Sequence, residues 1–568
     1  MYIVMYKFLT KDNRYDSYQY VETRTFQPIE TIPKTPLDMK LFPNDIFDYD
    51  VDTGKYQVIH SNFKANRMIP GILDLTMTHG RDKKNQKFLY LCKPDDKRIP
   101  FFLVAYSIPQ SFDKSLRKLY ITFEFKHWED KRPRGTITQN LGNIHELACF
   151  YEYVLYCKSL NVSIQAFTKE AKKKLHNQSS EEIIQKITEK YSLEERTKSD
   201  YYIFTLDSIH SNDYDDALSY HPEEHKISIY ISNVALIMEH LELWESFSNR
   251  ISTIYLPDRK RTMLPPILVD SLCSLREKEN KLCYVLDVYY DEHNEIRKQE
   301  LKLCKAYIRK NMGYENMDSS SIHIQHICRV LNVQHPKQIV SRLMLHFNHY
   351  VATTLASHKK GVFKTLFQET NHDVSLIQSS IPQDVYHHIC ILKTNASNYC
   401  TYHDAMVYQS ITHKKMDHYV QATSPIRRLV DVLNNIAILE LLGVCPISVS
   451  AKVFYQKWTT PESMECINVS SRAIRKIQSK CRIYQQYETN KQMGRDIMYE
   501  GYVFDKIKKE GDGKYQYMVY IRELNLTTYI TLLQDLEEYS CHLFSLYVFM
   551  SEENEKKKVK LQLCYEEE

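Results

Sequence analysis

Asp207 closes the apolar run Phe204-Thr205-Leu206-Asp207, and six residues later Asp213, Asp215 and Asp216 fall within four positions. Four carboxylates this close repel one another, and each raises its neighbours' pKa unless a cation neutralises them. Hard divalent ions such as Mg²⁺ take oxygen ligands and keep waters that a phosphate substrate can share. One or two such ions activate a water and stabilise a leaving oxygen, which is the chemistry of phosphodiester hydrolysis. A solvated Asp-rich turn is the plain alternative. An EF-hand is excluded, because Ala217 and Leu218 stand where that loop, counted from Asp213, needs Asp or Asn and then Gly.

A second group of residues could hold a phosphate. In Ser424-Pro425-Ile426-Arg427-Arg428, Ser424 suits a helix N-cap and Pro425 the first helical position. Leu429, Val432, Leu433, Ile436 and Leu439 continue at helical spacing, Gly443 stops the helix and Pro446 follows. Such a start aims N–H groups and two guanidiniums at one spot. The alternative is an Arg427–Asp431 pair on a solvated face. Arg472, Arg475, Lys476 and Lys480 form a basic ridge beside the apolar stripe Ile474, Ile477, Cys481 and Tyr484. The ridge either lines a nucleic-acid channel or is simply solvated. His346-x-x-His349 and His387-His388 have no evident third ligand, so no zinc is placed there.

The elements that must position these groups divide the chain. Residues 1–65 are turn-rich and strand-prone, with a hairpin around Asp52-Thr53-Gly54. Residues 66–145 carry short strands at 87–92, 100–106, 119–123 and 136–138, a density that suits a small barrel. The period turns helical over 146–199, where Ile183, Ile184, Ile187 and Tyr191 share a stripe of a helix over 180–195. Residues 200–495 mix strands with long helices, and 496–568 return to strands at 517–521, 527–532, 544–550 and 559–563. Only 12 of 568 residues are glycine, about 2% against a usual 7% or so, which leaves few for glycine-rich phosphate loops. Lys and Arg total 75 against 71 Asp and Glu, so a nucleic-acid site must come from local clustering of positive charge. The 14 cysteines include no pair three apart, which excludes zinc ribbons and favours reduced thiols in a cytoplasmic setting. The start, 1–10, reads as a strand, and no apolar run approaches the ~18 residues of a membrane span.

The spacing Asp-x5-Asp-x-Asp-Asp-Ala-Leu at 207–218 closely resembles the acidic motif of the RNase II/RNase R (RNB) exoribonuclease family. The resemblance continues in order through Ile229–Val234, Tyr255-Leu256-Pro257-Asp258-Arg259 with Met263-Leu264-Pro265, Leu272–Leu275, and Tyr419 with Thr423–Arg428. It implies an α+β multidomain chain. A first cold-shock-like OB domain would occupy 1–65, a second 66–145, a helical linker 146–199, a mixed α/β catalytic domain 200–495 and an S1-like OB barrel 496–568.

It also implies the activity: hydrolysis of single-stranded RNA from a free 3′ end to nucleoside 5′-monophosphates, by a monomer away from membranes. Asp207, Asp213, Asp215 and Asp216 would serve one or two Mg²⁺ ions, or Mn²⁺ in their place, and the attacking water. Arg427 would contact the phosphate, Tyr255 the terminal nucleotide and Tyr314 the sugar, with Thr423, Ser424 and Arg428 also at the RNA. The sequence departs from the family pattern at Asn233, at Ser341 and Arg342, at Asn435 and at Gln478. A catalytically inactive RNA-binding scaffold on the same fold is the alternative, and the intact acidic motif speaks against it.

Overall fold

A computed structural model of the chain describes residues 4–564, apart from 83, 85, 109–116, 198, 210, 315–321, 335, 366–380, 394–397, 405–418, 493–496, 510–512 and 552–556. The chain divides into two units, Met1–Asn161 and Val162–Glu568.

In the first unit, Met5–Thr10, Tyr18–Glu22, Pro28–Ile29, Ile46–Tyr49 and Tyr56–His60 form a five-stranded sheet. The expected hairpin is present, with Tyr49 opposite Tyr56 and Gly54 at φ +64°, a left-handed turn position that glycine takes at no steric cost. Ile69–Arg81, Phe88–Pro94, Phe102–Tyr106, Lys118–His127 and Arg134–Asn143 close into a barrel. The strand Ile69–Arg81 had no clear sequence signal, because its buried residues cluster at one end instead of alternating. The helical stretch expected over 146–199 is split between the units. Leu147–Cys157 lies in the first, and Gln165–Leu175 and Ser180–Tyr191 lie in the second.

Ser180–Tyr191 opens with a capping box between Ser179 and Glu182, and Ile183, Ile184 and Ile187 are buried as the stripe requires. It stops sooner than the pattern suggested. Ser192 is left-handed, and Glu194–Arg196 becomes a strand.

The second unit is built on a six-stranded sheet. Its order is Glu194–Arg196, Ile296–Gly313, Ile203–Asp207, Asp216–His221, Lys226–Ser232, Asn280–Tyr290. The 18-residue strand Ile296–Gly313 pairs antiparallel with Asn280–Tyr290 along its first part and parallel with Ile203–Asp207 along its last, so the pairings run in a closed circuit. Every residue of Lys226–Ser232 is buried, as a strand covered on both faces demands. The helices Leu429–Leu442, Val449–Trp458 and Pro461–Gln492 follow. Gly443 ends the first at φ +64°.

The last five strands order as Leu526–Leu532, Tyr515–Ile521, Met498–Lys508, Cys541–Met550, Lys557–Leu563. Four match the expected tail strands. The fifth, Met498–Lys508, was hidden by Gly501 and by a register shift between Phe504 and Ile507. Gly501 is required there, because a Cβ would meet the Phe544 ring at 2.6 Å. Among the described residues no helix is long and apolar enough to cross a membrane.

One buried ion pair locks the central sheet. Arg196 donates to Asp287 Oδ1 at 2.9 Å and Oδ2 at 2.6 Å, and to Tyr230 Oη at 3.0 Å, with both charged side chains 1% exposed. Ser228 Oγ donates to Asp287 at 2.6 Å and Ser219 Oγ pairs with Tyr230 Oη at 2.9 Å, so the charges rest in a filled polar network. Arg196→Ala strands the Asp287 carboxylate and should destabilise the protein by about 3–5 kcal/mol in denaturant unfolding. The double replacement Arg196→Met with Asp287→Leu should recover most of that loss.

Candidate active site

Asp207 is carried out of the core by its own strand, whose Ile203, Phe204 and Leu206 are almost fully buried. The strand end is closed by Tyr314, whose amide donates to Asp207 O at 2.7 Å. The loop returning to Asp216 is pinned by its backbone. Tyr214 N donates to Ser274 Oγ at 3.0 Å, Leu275 N to Tyr214 O at 2.9 Å, and Ser232 N to Asp215 O at 2.9 Å.

Three of the four aspartates form one electrostatic group. Burial, then Asp215, pushes Asp207 up to about 7, with Arg427 opposing. Burial pushes Asp215 up to about 6 against Arg427 and the Ile426 amide. Asp216 is raised by burial and then by Asp207 and Asp215. Asp207 Oδ2 is buried without a hydrogen-bond partner. Such a group is stable as a set of partly protonated acids or with a cation between them.

Asp213 stands apart. Lys260 Nζ donates to both of its oxygens at 2.7 Å, so a lysine already neutralises it. Of the four aspartates, Asp207, Asp215 and Asp216 thus repel one another while Asp213 is ion-paired. Among the described residues no group of three or more acidic, histidine or cysteine side chains stands arranged as a finished metal shell. Lys260 was not singled out in sequence, although it directly follows the Tyr255–Arg259 block.

The segment Thr423–Arg428 faces the acids, but not as the start of a helix. The helix begins at Leu429 with Arg428 as its extended N-cap, so Ser424 is not the cap. The cause is a backbone bridge: Thr253 N donates to Arg427 O at 3.0 Å and Leu429 N to Ile251 O at 2.9 Å, which holds Arg428 extended.

The preceding turn is tied to the carboxylates. Ile426 N donates to Asp215 Oδ1 at 2.9 Å, and Arg427 Nε to Asp215 Oδ2 at 3.2 Å. Arg427 also donates to Ser424 Oγ at 3.0 Å, and its side chain remains 46% exposed, within reach of a ligand. The Arg427–Asp431 pair weighed from sequence is absent. Arg428 takes that place, donating to Asp431 Oδ1 at 2.8 Å, and Ser424 N donates to the same oxygen at 2.8 Å. Thr423 and Ser424 are 4% and 3% exposed, so their side chains support the turn from within. Asn348 braces it further, accepting from Ala422 N at 2.9 Å and donating to Tyr419 Oη and Thr423 Oγ1.

Tyr255 lies on a two-stranded hairpin opposite Lys260, and it is 44% exposed. Burial raises its hydroxyl to about 12, with Arg427 opposing and Asp213 and Asp215 adding. Its amide donates to Gln478 Oε1 at 2.7 Å. Tyr314 is half-buried at the end of the Asp207 strand. Asn233 is a helix N-cap that accepts from Leu236 N at 3.0 Å, a structural use that does not need a carboxylate. His346 pairs with Gln299 and His349 with Thr353.

Residues 196–322 match the RNB domain family, and residues 89–157 match the Dis3-like cold-shock domain 2 (CSD2) family. The chain carries an RNB domain. It is 28% identical over 173 residues to ribonuclease R of Aquifex aeolicus, which is 30% of this chain and 23% of that protein. It is 33% identical over 121 residues to exoribonuclease 2 of Psychromonas ingrahamii, which is 21% of this chain and 18% of that protein. The matched stretches thus span about a quarter or less of these relatives.

Mycoplasma genitalium RNase R, solved in complex with ribose methylated single-stranded RNA, shares the fold at a TM-score of 0.63 and 15% identity, over 98% of this chain and 96% of that one. Yeast Ssd1, described as a pseudonuclease, shares it at a TM-score of 0.56 and 12% identity, over 93% of this chain and 78% of that one. The expected multidomain α+β architecture, with OB-like strand units and an RNB domain, is the observed one.

The raised acids have a measurable consequence. A carboxyl whose folded pKa exceeds its unfolded value confers stability that is complete below the unfolded value and is lost as pH rises through the folded one. In chelator, the protein should lose stability from about pH 4 to about pH 7, the window between the ordinary 3.8 and the Asp207 value. Asp207→Asn should raise the urea midpoint above that window and leave it nearly unchanged below.

Proposed function

We propose that the chain is a metal-dependent 3′–5′ exoribonuclease that hydrolyses single-stranded RNA to nucleoside 5′-monophosphates. The observation that carries the reading is the convergence of Asp207, Asp215 and Asp216 opposite Arg427, with one buried Asp207 oxygen unbonded. The donor set is all oxygen and suits Mg²⁺, with Mn²⁺ as a substitute. Asp207, Asp215 and Asp216 would hold one or two ions. When bound, the metal supplies an activated water and stabilises the leaving oxygen.

The remaining work falls to the chain's own groups. Arg427 leaves Asp215 to hold a scissile phosphate oxygen, a charge-assisted contact that grows as negative charge develops there. Tyr255 stacks on the terminal base, and stacking tolerates any sequence because every base has a π-face. Asp213 and Lys260 tie the Tyr255 hairpin to the acidic loop, so Asp213 acts by positioning. Tyr314 stands at the sugar beside Asp207. Arg428 is held by Asp431 and adds positive potential to the same turn.

An RNA-binding scaffold without catalysis is the second reading, favoured by the shared fold with the pseudonuclease Ssd1. End-labelled single-stranded RNA with Mg²⁺ separates the two. Hydrolysis should give a ladder shortening from the 3′ end and nucleoside 5′-monophosphate as product. Asp215→Asn should lower the rate by at least about a thousandfold while RNA binding persists. Tyr255→Ala should weaken capture of the 3′ end by about 1–3 kcal/mol. RNA bound but never shortened by the unaltered protein establishes the scaffold. A DNA competitor tests sugar discrimination, which the Ser341 and Arg342 departures leave open.

A further inference from the structure

The basic ridge of the Pro461–Gln492 helix is only partly taken up by the carboxylate site. Asn468, Arg472, Arg475 and Gln478 recur at i, i+4, i+7 and i+10, on one side of the helix. Asn468 clamps Tyr399, donating to its carbonyl at 2.9 Å and accepting from its amide at 2.7 Å. Arg472 donates to Asn398 Oδ1 at 2.8 Å, and Gln478 accepts the Tyr255 amide at 2.7 Å. Arg475 therefore stands between the contact to Tyr399 and the contact to Tyr255, and it is exposed.

Lys364 comes to the same place from another part of the chain. It is registered opposite Tyr399 in the two-stranded sheet of Val362–Lys364 with Tyr399–Thr401, and its amide donates to Tyr419 O at 2.9 Å. Burial, then the positive charges of Arg475 and Arg428, holds the pKa of its half-buried ammonium low, while Asp431 opposes them. Asp431 is already engaged by Arg428 and Ser424 N at 2.8 Å each. Among the described residues no carboxylate is within ion-pairing distance of Lys364 or Arg475.

The two consecutive arginines of the turn divide the space, Arg427 facing Asp215 and Arg428 facing Asp431. Folding gains nothing from gathering cations that only repel, whereas a polyanionic ligand recovers that energy on binding.

We propose that Lys364 and Arg475 grip a backbone phosphate of the RNA strand on the 5′ side of the bond that is cut. The proposal rests on the RNA reading above and deepens it. With Tyr255 at the terminal nucleotide and Arg427 at the scissile phosphate, the next phosphates of an entering strand pass along the helix side that bears Arg475.

The test is the salt dependence of RNA binding to the full chain. Fluorescence anisotropy would follow a labelled oligouridylate long enough to pass Lys364 and Arg475, and separately a dinucleotide, in EDTA so that neither is consumed. Each phosphate neutralised on a single strand adds about 0.7 to the slope of log affinity against log salt. Lys364→Ala with Arg475→Ala should lower that slope by about 0.7 for the long strand and leave the dinucleotide slope unchanged. Lys364→Arg with Arg475→Lys keeps the charges and should keep the slope, which separates charge from packing. Thermal melting checks that both variants are folded.

An unchanged long-strand slope in the alanine variant overturns the subsite while RNA binding itself stands. An equal fall for strand and dinucleotide places these cations at the terminal nucleotide and also overturns it. Failure of the unaltered chain to bind either RNA removes the RNA reading and the subsite together.

Discussion

Everything at the centre of this protein is organised around the repulsion among Asp207, Asp215 and Asp216. Burying three neighbouring acids is costly, and burial and mutual charge both push them toward their protonated forms. The fold tolerates that cost because backbone bonds fix the loop from three sides, through Ser274, Leu275 and Ser232. A relaxed loop would simply turn its carboxylates to water. The Asp215 ties to Ile426 N and Arg427 then connect this strained group to a segment more than two hundred residues away.

Much of this was legible in the chain, and the parts that were not share a physical cause. The acidic spacing, the Ile183-Ile184-Ile187 stripe, the buried Ile474-Ile477-Cys481-Tyr484 stripe and the Gly443 stop are local patterns, and the structure keeps each of them. The start of the 429–442 helix was misplaced because a cap at Ser424 was locally sound but a long-range bridge to Ile251–Thr253 overrode it. Lys260 on Asp213 and Gln478 on the Tyr255 amide are contacts 47 and 223 residues apart in sequence. No spacing rule reaches that far. Arg196 with Asp287 was invisible for the same reason, since a single Arg in a short strand carries no sign of its partner.

The division of labour among the acids also follows from the tertiary contacts. From sequence the four aspartates are equivalent members of a cluster. In the fold, Lys260 removes Asp213 from the repelling set and converts it into a fastening for the Tyr255 hairpin. The same logic separates two adjacent arginines into one that faces the acids and one that anchors its own turn.

The 32-residue helix Pro461–Gln492 has a consequence of its own. It touches Tyr399 through Asn468, Tyr255 through Gln478 and the final strand through Tyr484, whose hydroxyl donates to Lys557 O. At about 1.5 Å per residue, the first two contacts are about 15 Å apart. The helix is thus a fixed gauge, and its length in residues sets the interval between its holds on Tyr399 and on Tyr255. Inserting or deleting one turn would move that interval by about 5.4 Å without altering either contact.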